Sequence, residues 1–275
     1  MPELPEVETV VQGLRKVLEG AVIEQAWVRR PDLRLPFPKG LAGKLKGQTI
    51  ERIARRAKYV LCHLSKGQVL LIHLGMSGRV KLGKGAIPEG KHAHFVIRTD
   101  DGNWACLEDP RRFGAVDLID QALLSSHPFL AGLGPEPLEK DFDGKMLHKG
   151  LARRKGPIKP ALMDQKLVAG IGNIYASEAL FRAFISPLRP CSSLTLTECK
   201  ALVRTVKDVL AAAIESGGSS LRDHVRPDGE LGYFQHHFAV YAQEGEACPR
   251  CRAKARILRI VQAGRSSFYC KRCQR

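Results

Sequence analysis

The apolar positions near the start of the chain recur at helical spacing. Val7, Val10, Val11, Leu14, Val17 and Leu18 fall on one face, which predicts an amphipathic helix over residues 5–18. Glu3 and Glu6 stand at its N-terminus, where the helix dipole favours carboxylates. From residue 21 to about 120 the pattern changes to short β-rich runs with glycine-bearing turns between them. Residues 59–64, 69–74 and 94–98 are examples. They predict a β-sandwich with the first helix packed on it. Leu133-Gly134-Pro135-Glu136-Pro137-Leu138 has the composition of a linker. Helical periodicity then runs from 141 to about 223, most clearly over 197–215. Residues 217–234 read as a mobile loop. Two last short strands, 256–261 and 266–269, flank a turn at Ala263-Gly264-Arg265. No internal repeat or low-complexity tract interrupts this order.

Composition narrows the class. The chain has 275 residues, 44% hydrophobic and 26% charged, which describes a soluble globular protein, with two domains as the length-based expectation. No apolar run reaches membrane-spanning length, and the first residues are acidic where a secretory signal is basic. A cytoplasmic, nucleoid-associated protein without membrane contact is expected. The 44 Lys+Arg against 28 Asp+Glu leave a formal charge of +16, which favours a polyanionic partner, most simply nucleic acid. From Ala247 onward there are nine Lys/Arg and no Asp or Glu, so this segment reads as a phosphate-facing module.

That segment also holds Cys248, Cys251, Cys270 and Cys273. Two Cys-x-x-Cys knuckles about twenty residues apart supply four thiolates, the donor set of one structural, tetrahedral Zn2+. Disulfides are the competing reading, which a cytosolic setting disfavours. The metal would pin a hairpin whose tip presents Arg265. Cys62, Cys106, Cys191 and Cys199 lack ligand spacing and read as buried thiols.

The N-terminus carries candidate chemistry. Removal of Met1 would leave Pro2 as a secondary amine beside Glu3 and Glu6. An α-amino group titrates near pH 8 against about 10.4 for lysine, so roughly a tenth of it is neutral at pH 7. A secondary amine attacking an aldehyde-level carbon gives a cationic iminium, a strong electron sink. Taken alone, however, Met-Pro before a helix is an ordinary start.

Seven strings in order remove that ambiguity. They are Pro2-Glu3-Leu4-Pro5-Glu6-Val7-Glu8-Thr9, Arg55-Arg56-Ala57-Lys58-Tyr59, His73-Leu74-Gly75-Met76-Ser77-Gly78 and Asp109-Pro110-Arg111-Arg112-Phe113-Gly114, then Leu133 to Leu138, Gly170-Ile171-Gly172-Asn173-Ile174-Tyr175-Ala176 and the cysteine hairpin. Together they resemble bacterial formamidopyrimidine-DNA glycosylase, of the formamidopyrimidine-DNA glycosylase / endonuclease VIII family, essentially end to end. The resemblance implies an α+β, multi-domain fold. A catalytic N-terminal β-sandwich with flanking helices would occupy 1–132 and a linker 133–140. A helical helix–two-turn–helix domain would occupy 141–237, with 217–234 covering the lesion, and a zinc β-hairpin 238–275.

The resemblance also implies a bifunctional DNA glycosylase and AP lyase that removes oxidised purines, 8-oxoguanine opposite cytosine and formamidopyrimidines, from duplex DNA as a monomer. A damaged nucleotide must leave the stack before its C1′ can be reached. Met76, Arg111 and Phe113 match the residues that fill the gap left behind. Pro2 matches the nucleophile, Glu3 the acid-base residue at the sugar, and Glu6 a supporting carboxylate. Lys58 and Arg265 match proton-transfer or phosphate-positioning residues for the elimination steps. Arginine titrates above pH 12, so charge stabilisation suits Arg265 better than proton donation. His92, Lys155 and Asn173 match phosphate contacts, and His73 is placed with them as structural or DNA-adjacent. His236 and His237 read the same way, without metal-ligand spacing.

One departure from the family pattern matters, and one residue separates its two types. Arg252-Ala253-Lys254 follows Cys251 where a glycine is usual, and the hairpin is about two residues longer; the extra length is expected at the strand bases. Leu4 stands where the endonuclease VIII type, which removes oxidised pyrimidines, has glycine, and this favours the purine enzyme. The alternatives are that pyrimidine activity, or a zinc-containing DNA-binding protein without catalysis.

Overall fold

The computed structural model describes residues 2–219, 227, 232–252 and 254–275. The chain divides into two compact units. The first comprises Met1–Ala131 with Ser216–Tyr233, and the second Gly132–Glu215 with Phe234–Arg275.

The first unit is built on helix α1 (Leu4–Leu18), with Pro5 in its first turn and a capping box between Glu3 and Glu6. Pro there costs nothing, because the first-turn N–H groups lack helical partners anyway. Val7, Val10, Val11, Leu14 and Leu18 are buried and Val17 is partly buried, as the periodicity predicts. The strands are β1 (Ile23–Val28), β2 (Ile50–Arg56), β3 (Tyr59–Leu64), β4 (Gln68–His73), β5 (Arg79–Lys84), β6 (Ala93–Thr99), β7 (Asn103–Glu108) and β8 (Ala115–Asp120), with a short helix α2 (Leu41–Leu45) after β1. They form two four-stranded antiparallel sheets, ordered β1-β6-β7-β5 and β2-β3-β4-β8. α1 touches β2 and β3 of one sheet and β5 and β7 of the other. Its apolar stripe joins Ile53, Leu70, Phe95 and Leu107 in one core. The middle of β4, Val69 to Ile72, is buried throughout, so this strand reads as a continuous apolar run rather than an alternation.

Backbone conformation and close approach set the turns that carry functional candidates. β2 and β3 are joined by Ala57 and Lys58 alone, and Ala57 adopts φ 52°. Gly75 has φ 62°, and a Cβ there would lie 2.3 Å from the Phe113 carbonyl carbon. Only glycine allows the two loops to approach this closely.

The second unit is helical. It contains α3 (Gly144–Leu151), α4 (Ile158–Leu162), α5 (Asn173–Arg182) and α6 (Leu196–Glu215), followed by the hairpin β9 (Leu258–Gln262) and β10 (Arg265–Tyr269). Asp143 caps α3 by accepting the Met146 N–H at 2.7 Å. α6 packs against α3 and α5, and α5 against β10. Buried Glu178 on α5 accepts N–H bonds from Ala239, Val240 and Tyr241 at 2.9–3.1 Å. The strands of the hairpin differ slightly from expectation. Ala263 and Gly264, with φ 47° and 72°, make a two-residue turn, and Arg265 pairs with Gln262 as the first residue of β10. Positive φ at both central residues matches the strand twist of a tight hairpin. Among the described residues, no helix is long and apolar enough to cross a membrane.

Candidate active site and zinc finger

Pro2, Glu3 and Glu6 come together at the N-terminus of α1, and all three are buried. Glu6 uses both carboxylate oxygens. One accepts the Glu3 N–H at 2.9 Å, and the other accepts both the N–H and the hydroxyl of Ser219 at 2.9 Å. The capping box thus does double duty: it closes the helix end and ties it to Ser219. Of the segment 217–234, expected from the resemblance to cover the lesion, residues 220–226 and 228–231 lie outside the described residues.

Lys58, in the β2–β3 turn, is buried. Its ammonium and the Arg34 guanidinium act on His73 at the end of β4. Burial first, then Lys58 and Arg34, lower the His73 pKa to about 4, with Asp109 opposing them. His73 is therefore neutral at neutral pH. Its Nδ1 accepts the Gly75 N–H at 3.2 Å, which leaves the proton on Nε2. The His73 ring lies 4.9 Å from that of Tyr59, whose hydroxyl pKa is raised by burial.

Met76, Arg111 and Phe113 project from two loops that are latched together. Met76 and Phe113 are each 42% exposed. The Arg111 guanidinium carbon lies 5.0 Å from the Phe113 ring centroid. Beneath them Asp109, fully buried, accepts the Ser77 hydroxyl at 2.6 Å and the Gly114 N–H at 2.7 Å. The Ser77 oxygen in turn accepts the Arg111 N–H at 3.1 Å. His92 is exposed, and its carbonyl accepts the Asp109 N–H at 3.1 Å.

In the second unit Lys155 is exposed and Asn173 opens α5. The Asn173 amide faces the hairpin, donating to the Ser266 carbonyl at 3.0 Å. His236 and His237 are exposed in a short turn and, among the described residues, hold no metal-ligand arrangement with others. Sγ atoms of Cys248, Cys251, Cys270 and Cys273 all lie within 4.8 Å of one another, with the 248–273 and 251–270 pairs at 3.8 and 3.9 Å. A tetrahedron of Zn–S bonds near 2.3 Å has edges of about 3.8 Å, so the donor set fits Zn2+. Arg250, inside the first knuckle, packs on Phe181 and Phe184, 4.5 and 3.7 Å from the ring centroids, and donates to the Phe181 carbonyl. Arg252, in the position usual for glycine, takes φ 48°. Between this knuckle and β9 the Lys254 N–H donates back to the Cys251 carbonyl at 3.2 Å; Ala253 lies outside the described residues. The hairpin register itself is regular from Leu258 to Tyr269. The other four cysteines are buried, and burial raises the pKa of Cys62 to about 12 and of Cys106 and Cys199 to about 11.

Comparison with known proteins decides the family. Residues 1–116 match the formamidopyrimidine-DNA glycosylase N-terminal domain, 133–225 the formamidopyrimidine-DNA glycosylase H2TH domain, and 245–275 a zinc finger found in FPG and IleRS. The chain belongs to the formamidopyrimidine-DNA glycosylase family. It is 52% identical over 283 residues to the formamidopyrimidine-DNA glycosylase of Ruegeria pomeroyi, and 51% identical over 294 residues to that of Azorhizobium caulinodans. Both alignments cover all of this chain and all of the relative. Among solved structures, the Fpg protein of Thermus thermophilus superposes with a TM-score of 0.88 at 39% identity, covering 99% of this chain and 98% of that one. The Lactococcus lactis Fpg in complex with abasic-site DNA superposes at 0.90 with 35% identity and 99% coverage of each. The α+β architecture with a C-terminal zinc finger is that of the family, and the four cysteines hold one structural Zn2+.

Three residues outside the expected set hold these candidates in place. Asp109 latches the loops of Met76, Arg111 and Phe113, and Ser219 receives Glu6. Lys159 donates to Asn173 Oδ1 at 2.5 Å. Asp109 lies in one of the family strings, yet nothing in that string distinguishes a bracing carboxylate from a solvent-facing one. The only local signal for Lys159 is a lysine in the apolar run Ile158 to Leu162.

Proposed function

We propose that this member of the formamidopyrimidine-DNA glycosylase family is a bifunctional DNA glycosylase and AP lyase of base excision repair, acting on oxidised purines in duplex DNA. The observation that carries the reading is the buried cluster of Pro2, Glu3 and Glu6 at the start of a chain that matches the family over its whole length. The enzyme works as a monomer in the cytoplasm, at the nucleoid. Residues 1–132 carry the chemistry, 133–140 link, 141–237 grip the duplex with 217–234 over the lesion, and 238–275 present the zinc hairpin.

Once Met1 is removed, the Pro2 nitrogen attacks C1′ of the extrahelical nucleotide. The N–C1′ bond forms as the glycosidic bond breaks, and the base leaves with the bonding pair. The amine nitrogen then loses its proton and its lone pair opens the C1′–O4′ bond, O4′ taking up a proton, to give an iminium that acidifies the adjacent C2′–H. Loss of that proton expels the 3′ phosphate, and a second elimination expels the 5′ phosphate. Glu3 moves the protons at the sugar. Glu6, with both oxygens engaged, holds the nucleophile's helix end in place. Lys58 and Arg265 neutralise the phosphates that bear and leave with negative charge. Met76, Arg111 and Phe113 occupy the vacated stack, an apolar wedge and a cation suited to the orphaned base. His92, Lys155 and Asn173 contact phosphates, which position the protein without reading sequence; neutral His73 serves beside them as a hydrogen-bond partner.

A broader lesion range has one specific support: the Lactococcus lactis Fpg was also solved with DNA containing an oxidised pyrimidine. Single-turnover excision from matched 8-oxoguanine:cytosine and oxidised-pyrimidine duplexes tests the assignment. Faster release of the purine is expected, and much faster release of the pyrimidine overturns it. Pro2→Gly is expected to reduce strand cleavage by roughly 10²-fold or more while duplex binding persists, since it changes the nucleophile and not the phosphate contacts.

A further inference from the structure

Lys159 is 1% exposed, which is rare for a lysine. Its ammonium donates three hydrogen bonds: to Asn173 Oδ1 at 2.5 Å, to the Ser266 carbonyl at 2.9 Å and to Ser267 Oγ at 2.8 Å. An ammonium has three N–H donors, and all three are committed to acceptors that bear on the same hairpin. Ser266 and Ser267 follow Arg265 directly. The Ser267 hydroxyl passes its own hydrogen to Gln262 Oε1 at 2.7 Å, and Gln262 precedes the turn and pairs with Arg265. Gln262 Nε2 is in turn anchored on the Pro187 carbonyl at 3.0 Å. Both flanks of the two-residue turn are thus tied, through a buried polar network, to the ammonium of α4.

The same ammonium fixes the sense of the Asn173 amide. With Oδ1 facing Lys159, the NH2 group must face the other way, where one hydrogen goes to the Ser266 carbonyl at 3.0 Å. The second amide hydrogen is left for an outside acceptor. A flipped amide would point its oxygen outward and repel a phosphate. A buried cation held against the carbonyl oxygen excludes that flip, because turning the NH2 toward an ammonium sets donor against donor.

We propose that Lys159 is a positioning residue for DNA: it orients Asn173 as a donor and sets the pose of the hairpin tip that presents Arg265. The proposal rests on the reading of Asn173 and Arg265 as phosphate-facing residues. Lys159 itself touches no DNA, because its donors are spent inside the fold.

The test compares Lys159→Met, Asn173→Ala and Arg265→Ala, with the double variants K159M/R265A and K159M/N173A, in the full-length zinc-loaded protein. Each is checked for one zinc per chain, then measured for affinity to a duplex carrying a reduced abasic analogue across a salt series. K159M is expected to keep its zinc and lose affinity roughly 10- to 100-fold, the range for hydrogen bonds made by a charged group. The decisive result is non-additivity: once Lys159 is gone, removing Arg265 or Asn173 should cost much less than in the parent. A merely structural lysine gives additive losses, and that result, or normal affinity in K159M, overturns the proposal. If R265A and N173A are silent in the parent, the reading of those two residues fails and takes the proposal with it. Should K159M not retain zinc, Ser267→Ala cuts the same network more gently. It is expected to show a smaller affinity loss that again vanishes in the R265A background, and additivity there counts against the proposal.

Discussion

The two units hold their reactive groups by opposite means. In the first, the proposed nucleophile and its carboxylates lie inside the fold, at the end of a helix whose apolar stripe is buried among eight strands. In the second, Arg265 stands exposed on a two-stranded hairpin whose apolar contribution is a small cluster of Phe268 with Phe181, Val240 and Ile257. A pair of strands in water is marginal at best, so the hairpin depends on four thiolates and the polar network around Lys159. The difference follows from the role proposed for each group. A neutral amine and a proton-transferring carboxylate need a dry, fixed setting, whereas a cation that meets a phosphate must be presented outward and aimed.

Zinc removal should expose this contrast most strongly. A structural zinc site of this kind contributes on the order of 10 kcal/mol to its module, so chelation or Cys270→Ser is expected to unfold the hairpin. Both tryptophans, Trp27 and Trp104, belong to the first unit, so their emission should stay unchanged. Duplex affinity should drop, with the log–log salt slope shallower by about 0.9 for each phosphate that is no longer neutralised. Tryptophan emission that shifts together with zinc loss would show that the first unit leans on the metal as well.

A buried carboxylate plays the corresponding part in the first unit. Asp109→Ala leaves the Ser77 hydroxyl and the Gly114 N–H without their acceptor, at a cost of about 2–4 kcal/mol. Denaturation followed by tryptophan emission should register this loss, while zinc content stays at one per chain. An unchanged midpoint would mean the two loops are held by something other than Asp109.

Protonation offers a smaller lever on the same unit. His73 is held neutral, with its pKa lowered from 6.5 to about 4. The unfolded chain therefore binds a proton below about pH 6.5 that the folded chain refuses until about pH 4. Stability should fall as pH drops across that window and level off below it, by up to about 3 kcal/mol from this one group. His73→Gln is expected to flatten the urea midpoint across the same window. The smallest effect belongs to the zinc knuckle. Arg252 sits at φ 48°, and Arg252→Gly should stabilise the apo-to-holo transition by about 0.5–1 kcal/mol, read as severalfold tighter zinc binding in a chelator competition.

Much of this arrangement is legible in the sequence. Period 3.6 along Val7 to Leu18 gives α1 to within a residue, and the two Cys-x-x-Cys pairs announce their metal because thiolate spacing is a local property. The strand order β1-β6-β7-β5 is not legible there, since it brings β1 beside β6 across some 70 residues that carry no pairing signal of their own. The same holds for the groups that hold the site. Glu6 meets Ser219 across 213 positions, and Lys159 meets Ser267 across 108. Residues that project toward a partner are conspicuous as exposed aromatics and cations in recognisable strings. Those that brace them are ordinary polar residues whose role exists only once the chain has folded.

Borohydride trapping on an 8-oxoguanine:cytosine duplex tests most directly whether the buried N-terminus supplies the nucleophile. The reduced adduct is digested and its attachment point located by mass spectrometry. A nucleophilic Pro2 predicts one covalent complex per chain, linked through that residue with Met1 absent. A cross-link at Lys58, or no cross-link here or at a preformed abasic site, would contradict it.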